Sequence, residues 1–316
     1  TARTRALVQR WIQLVSNIDL LFALPFQDQT ALGIAAFEQG FPMLNARLQR
    51  DSDAATGNFV KHLNLVRGVF AIALSPSWWS APLWLIYGVL YGSASDSRWH
   101  ECGHKTAFKS KIYNDIFYQV GSFMTDFEPT RWTWSHFRHH SNTASIKDPH
   151  DYEAALFHGY PSLSSFLFSF VPFAELIRFK HSWKFETIKH ALGLTTPVMK
   201  DCIPKNEIWK CRLISRIHVG IWLISFILSF YLMNPLPALL IFFPRYWGNI
   251  VELFNQTQHI GLPEDIKDHR YTTRSVKFNP IFSFLYWHME YHVEHHMFPS
   301  VPSYNLHKLS KLIKDQ

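Results

Sequence analysis

The sequence predicts an all-α integral membrane protein, with about four transmembrane helices in two hairpins beneath a cytoplasmic helical cap. Three observations carry that reading. Residues 68–95 and 217–244 contain no Asp, Glu, Lys or Arg, and each stretch exceeds the roughly 20 residues that one helix needs to cross a bilayer. Charged residues make up 17% of the chain against 47% hydrophobic, where about a quarter charged is usual, so charge is segregated along the chain. The basic residues also sort to one side. Residues 97–216 hold 16 Lys and Arg while the Pro-containing turns at 75–80 and 234–237 hold none, which places the intervening segment in the cytoplasm by the positive-inside rule.

In chain order, residues 1–58 are polar with amphipathic stretches and read as N-terminal cytoplasmic or interfacial helices. Hairpin one occupies 59–99, with legs of about 60–78 and 80–98 divided at Ser75-Pro76-Ser77. Lys61 and Arg67 in the first leg sit near enough to its end to snorkel. A cytoplasmic cap follows over 100–212. Within it, 105–135 holds an amphipathic or buried helix, and 161–179 is apolar but too short to span, so it reads as interfacial or re-entrant. The basic amphipathic stretch after it would lie on the headgroups. Hairpin two occupies 213–256, with legs of about 213–233 and 236–256 divided at Asn234-Pro235-Leu236-Pro237. Residues 257–316 return to the cytoplasmic side and end in a basic helix starting near Tyr304. Two hairpins make an even number of crossings, so the N-terminus, the 97–212 segment and the C-terminus share one compartment.

The net charge of +7 suits anionic headgroups; no basic, aromatic-interleaved patch of the kind that binds nucleic acid is visible. Cys102, Cys202 and Cys211 form neither a CxxC pair nor an even framework and are expected to be reduced. No iron–sulfur ligand set and no Gly-rich nucleotide fingerprint occurs. Residues 1–20 are mixed rather than basic then apolar, so no secretory leader is expected there.

The chemistry lies in the histidines. Of 18, nine fall into a pattern: His100 and His104; His136, His139 and His140; His259, four residues after Asn255; and His292, His295 and His296. Spacings of three and four return side chains to one helix face, and the predicted hairpins put every cluster on the same side of the membrane. Eight or nine converging imidazoles exceed the four ligands that close a zinc ion. They suit two iron ions with positions left open for dioxygen. The remaining histidines, His269 and His288 among them, read as ordinary packed or surface residues.

Two rivals are weighed against a di-iron oxidoreductase. His100-Glu101-Cys102-Gly103-His104 matches the HExxH of zinc proteases, in which the glutamate is the general base, but that reading leaves the other clusters without a purpose. A metal transporter or metal-buffering membrane protein would place its histidines within the spans, whereas these lie just outside them. Metal content separates the three: two irons, one zinc, or exchangeable metal.

Three clusters of the form HxxxH, HxxHH and HxxHH, separated by membrane hairpins, resemble the membrane-bound fatty acid desaturase and hydroxylase superfamily over roughly 85–310. The run Tyr291-His-Val-Glu-His-His-Met-Phe-Pro299 is very similar to the third-box region of bacterial members. Box one and the segment from Asp268 to Val276 look closest to a bacterial subgroup that includes rhizobitoxine-type desaturases. The resemblance implies iron ligation by His100, His104, His136, His139, His140, His292, His295 and His296, with His259 as a ninth ligand and Asn255 reaching iron through water. Three residues intervene in box one, unlike the animal acyl-CoA enzymes, which weakens transfer of their substrate.

The expected activity is O2-dependent C–H oxidation of a fatty-acyl or lipid-like substrate. Loss of a second hydrogen gives an alkene and delivery of oxygen an alcohol, and sub-ångström positioning decides between them. The same family also allows a hydroxylase, oxidative demethylase or decarboxylase acting on a different or small polar substrate. No His-Pro-Gly-Gly of a fused cytochrome b5 is present, so electrons are expected from a separate ferredoxin or cytochrome-type donor with its reductase. The expected location is a bacterial inner membrane with the active site facing the cytoplasm. Glu101, Asp148, Asp268 and Glu294 are candidates for fixing imidazole tautomers.

Overall fold

The computed structural model describes residues 80–95, 97–153, 162–168, 170–174, 182–248 and 252–313. The expected N-terminal helices over 1–58 and the first leg of hairpin one lie outside these residues. Among the described residues the chain is helical, with no strand. The helices are α1 (Ser80–Ser95), α2 (Ser97–Gly103), α3 (Lys111–Met124), α4 (Pro129–Ser141), α5 (Leu163–Phe168), α6 (Trp183–Ala191), α7 (Pro197–Cys202) and α8 (Ile208–Tyr231). They continue with α9 (Leu236–Ile241), α10 (Pro244–Trp247), α11 (Glu252–His259), α12 (His269–Thr272), α13 (Pro280–Tyr286), α14 (His292–Met297) and α15 (Ser303–Ile313).

Of these, α8 alone is long and apolar enough to cross a membrane. Its 24 residues rise about 36 Å at 1.5 Å each. Cys211, Ser215, His218, Trp222 and Ser225 are its buried residues, spaced four, three, four and three apart, so they form a single inward stripe. Leu223, Ile224, Ile227 and Phe230 are exposed, a surface that a hydrocarbon layer stabilises far better than water. The helix starts five residues before the expected leg: the Glu207 carbonyl already accepts from the Lys210 and Cys211 amides, so the first turn forms ahead of the apolar run. It ends at Leu232, where Met233 turns left-handed (φ 47°) and the Asn234 carboxamide oxygen caps the Leu236 amide at 2.9 Å.

The expected second leg over 236–256 is not one helix. It is broken into α9, α10 and α11. Pro244 has no amide to give the ladder, the Phe242 and Phe243 amides both turn to the Ala238 carbonyl, and Gly248 caps α10. Gly248 also explains how this segment packs. A Cβ there would overlap the Gly88 carbonyl oxygen, and one on Gly92 would lie 2.9 Å from the Gly248 oxygen. The backbones of α1 and α10 therefore touch, and only glycine permits it. The expected leg over 80–98 is seen as α1 as far as Ser95, then α2 from Ser97.

The cap is built by strong local signals. Glu128 accepts from the Thr130 and Arg131 amides and Pro129 occupies the first turn of α4, a well-formed N-cap. Ser182 caps α6 and Thr196 caps α7 in the same way. Trp99, Tyr118, Phe127 and Trp132 form the core between α2, α3 and α4. The expected interfacial segment over 161–179 is described as α5 followed by turns to Ala174. Finally α15 buries Leu306 and Leu309 against Val301, and the Ser303 amide donates to Glu101 at 3.1 Å, fastening the C-terminal helix to box one.

Candidate metal centre

Four helices and one helix end deliver the nine histidines. His100 lies on α2 and His104 just past its end, where Lys105 turns left-handed (φ 62°). Box two lies on α4, His259 ends α11, and box three lies on α14. The structure brings all nine together, in two groups. His100, His104, His136, His140 and His295 form one, and His139, His259, His292 and His296 the other. Helix geometry explains the division. Positions i and i+4 lie about 40° apart around a helix, while i+3 lies about 60° to the other side. The outer pair of each HxxHH box thus serves one group and the middle histidine serves its neighbour. The His140 and His296 rings, one from each group, stack at 4.3 Å.

Within each group the Nε2 atoms face one another. His136 Nε2 lies 2.9 Å from that of His100, 3.1 Å from His104 and 3.0 Å from His140. His292 Nε2 lies 3.1 Å from those of both His259 and His296. Hydrogen bonding cannot account for this, because one ring nitrogen carries at most one proton and cannot bond three others. A shared cation can. Donors at about 2.1 Å in octahedral or square-pyramidal array stand about 3.0 Å apart along a cis edge, against about 3.4 Å on a tetrahedron. The observed 2.9–3.2 Å fits the former, and five imidazoles exceed a tetrahedral shell.

The outer nitrogens supply a second test of fit. His139 Nδ1 donates to Asp151 at 2.8 Å and His136 Nδ1 to Glu153 at 3.0 Å. His259 Nδ1 donates to the Thr272 carbonyl at 2.9 Å. Thr143 gives its own proton to the His139 carbonyl, so its hydroxyl oxygen accepts from His296 Nδ1 at 3.2 Å. Each bond fixes a proton on Nδ1 and leaves the Nε2 lone pair facing its group. The Trp132 ring stacks on His136 with centroids 4.0 Å apart, and it fits there because Gly103 has no side chain: a Cβ would stand 2.6 Å from that ring.

Electrostatics keep most of these rings neutral. Burial, then the crowding of neighbouring imidazoles, holds His100, His136, His140, His292, His295 and His296 well below the usual histidine range. Burial lowers His104 and His259 to about 3. His139 runs the other way: burial opposes its charge, but Asp151 and Glu153 outweigh that and raise it. Burial pushes Glu153 up to about 7. Neutral imidazoles are the form that binds metal.

The acids nearest the rings are not those expected from the sequence. Glu101 is fully buried but accepts from Thr106 and the Ser303 amide, and Glu294 accepts from Ser275. Asp268 caps α12 and pairs with Arg270, and Asp148 lies in the loop after α4. Sequence proximity to the boxes misled here, since adjacent helical residues point away from one another. Asp151 and Glu153 were missed; an acid pair ten to fifteen residues past a histidine box was the available signal. His269, read as ordinary, lies 5.2 Å from the His296 ring and 3.2 Å from Thr143. Asn255 accepts from the Tyr286 hydroxyl at 2.7 Å.

A family model described as fatty acid desaturase matches residues 76–316. The chain is 23% identical over 247 residues to the Delta(5) fatty acid desaturase fat-4 of Caenorhabditis elegans, covering 68% of this chain and 53% of that protein. It is 25% identical over 244 residues to the Delta(6)-fatty-acid desaturase fat-3 of the same organism, covering 68% and 54%. The chain thus spans about half the length of these curated relatives.

Proposed function

The chain belongs to the fatty acid desaturase family, and from that membership we propose that it is a membrane-bound oxidoreductase that uses two histidine-held non-haem irons and O2 to oxidise a C–H bond of a fatty-acyl or lipid-like substrate. The observation that carries the reading is the division of nine converging imidazoles into groups of five and four. Both groups offer nitrogen donors only, which suits iron. When bound, the two irons would supply the redox change and the site at which dioxygen is activated.

The protein's own residues prepare that site. His100, His104, His136, His140 and His295 would hold one iron, and His139, His259, His292 and His296 the other. Asp151 and Glu153 keep the Nδ1 protons of His139 and His136 in place, and Thr272 and Thr143 do the same for His259 and His296. Asn255, anchored by Tyr286, would steady a water at the four-histidine iron. Trp132 stacks on His136 and meets His100 and His104 edge-on, which would hold those three rings of the five-histidine group in place. Electrons would come from a separate ferredoxin or cytochrome-type donor with its reductase, and the centre would face the cytoplasm from a bacterial inner membrane. Kinship with the rhizobitoxine-type subgroup is supported by box one and the Asp268–Val276 segment.

The test is metal analysis and product identification on the same preparation. Protein purified from iron-replete cells should carry two irons per chain. Supplied with lipid extract, reductant and oxygen, it should yield a desaturated or hydroxylated acyl product by mass spectrometry. A single zinc, or protein without iron, would overturn the assignment.

A further inference from the structure

Between α12 and α13 the chain runs without helix from Thr273 to Asn279, and it begins extended, with Thr273 at φ −136° and ψ 148°. Successive side chains of an extended chain point to opposite sides, and here Arg274 reaches α11 while Ser275 reaches α14. On the α14 side, Ser275 Oγ accepts from the Val293 amide at 3.0 Å and donates to Glu294, and the Val276 amide donates to the Glu290 carbonyl at 2.9 Å. On the α11 side, the Arg274 amide donates to the Gln258 carbonyl at 2.8 Å. Its guanidinium donates to the Thr257 carbonyl at 3.4 Å and to the Ile260 carbonyl at 3.3 Å.

These carbonyls belong to a helix end. The α11 helix stops at His259, and Gly261 just beyond is left-handed (φ 71°), so the last carbonyls have no helical amide to meet. The Leu262 amide takes the His259 carbonyl at 3.2 Å, and Arg274 takes the three beside it. A cation at this place also faces the negative end of the helix dipole, and the planar fork of a guanidinium suits two carbonyls at once, as a single ammonium does not. The His259 ring is held from the same stretch of chain. Its Nδ1 donates to the Thr272 carbonyl at 2.9 Å, and its Nε2 stands 3.1 Å from that of His292, the first residue of α14. Thus the two facing imidazoles come from helices that Arg274 and Ser275 tie to one another.

We infer, on the reading of the four-histidine group as a metal site, that Arg274 is a positioning residue: it fixes the end of α11 so that His259 faces His292 and completes that group. It acts through the backbone of α11, so its removal leaves every ligand in the chain but lets one of them drift. The test uses the full chain in detergent, stripped of metal and titrated under argon with cobalt(II), whose visible absorption changes with its coordination. The unmodified protein should take up two ions. His295→Ala and His292→Ala, each short of one donor in a different group, assign the two spectra.

In Arg274→Ala the ion of the four-histidine group should bind about 10–100-fold more weakly, the loss usual when an outer partner is removed. Its spectrum should change as well, while the ion of the five-histidine group binds as before. Arg274→Lys, which keeps the charge and one donor group, should lose only several-fold at the same ion. Equal weakening of both ions, the mark of a general loosening of the fold, overturns the inference, as does an unchanged four-histidine affinity in folded Arg274→Ala. Fewer than two ions on the unmodified protein overturns instead the metal reading beneath it. Should Arg274→Ala fail to fold, Arg274→Lys decides: a loss confined to the four-histidine ion supports the inference, and no loss there refutes it.

Discussion

Replacing Asp151 by Asn tests whether the outer hydrogen bonds hold the metal centre in shape. Asp151 is fully buried. One oxygen accepts from His139 Nδ1 at 2.8 Å and from the Ala144 amide at 2.9 Å, and the other from the Glu153 amide at 2.9 Å. A carboxamide has one acceptor oxygen, so its NH2 must face a donor whichever way it turns. If the oxygen keeps His139 and Ala144, the Glu153 amide is left unsatisfied, and the charge that holds His139 in its tautomer is gone. Leaving one buried donor unpaired costs about 1–3 kcal/mol. Loss of an outer partner typically weakens metal binding 10–100-fold, or about 1.4–2.7 kcal/mol. The assay is competition with chelators of graded affinity, counting iron per chain at each step. The four-histidine group holding His139 should empty first, so that Asp151→Asn passes through a one-iron state that the unmodified protein lacks. Retention of both irons with an unchanged competition curve would refute the reasoning.

Further outcomes follow from the same geometry. His295→Ala and His292→Ala should each remove one iron, from the five- and the four-histidine group respectively, and abolish O2-dependent turnover while the protein still inserts into membranes; full activity in either purified variant would sink the assignment. Gly103→Ala places a methyl 2.6 Å from the Trp132 ring, and overpacking of this kind costs about 1–3 kcal/mol, so its thermal midpoint should fall by several degrees; an unchanged midpoint would show that Trp132 yields freely. Burial lowers His190 from 6.5 to about 4. Above pH 6.5 neither folded nor unfolded chain is charged there. As pH falls through that window only the unfolded chain takes the proton, so stability drops by up to about 3 kcal/mol and levels off below pH 4. His190→Gln should flatten denaturation midpoints over that range, and an unaltered slope would assign the loss elsewhere.

What the sequence could reveal of the fold depended on how local the cause was. The capping of α4 by Glu128 and Pro129 and the inward stripe of α8 follow from residues within a few turns, and pattern alone finds such features. The broken course from α9 to α11 does not. The apolar run to Pro244 looks like one leg of a hairpin. What divides it is a proline followed by a glycine whose missing side chain lets α10 touch α1, a contact 160 residues distant in sequence that no local window contains.

The candidate metal centre divides along the same line. Spacings of three and four placed each cluster of imidazoles on one helix face, and that is a local property. Which imidazoles join which group is not, because it depends on how α2, α4, α11 and α14 meet. Once they meet, the HxxHH spelling becomes intelligible. With i and i+4 on one side and i+3 on the other, a single turn of helix serves two adjacent groups of nitrogen donors, and two such turns facing each other give reciprocal shares: His136, His140 and His295 on one side, His292, His296 and His139 on the other. HxxxH, lacking the middle residue, serves a single group, and His100 and His104 do so. His259 then brings the second group to four. The acids that orient the rings come from the loop after α4, because the inner nitrogens use up the space between the helices and leave Nδ1 pointing outward. Asp151 and Glu153 reach those nitrogens from a turn whose course depends on Ala144, left-handed at φ 58°, donating its amide back to Asp151. That closure is made by tertiary structure, so proximity in sequence singled out Glu101 and Glu294 instead.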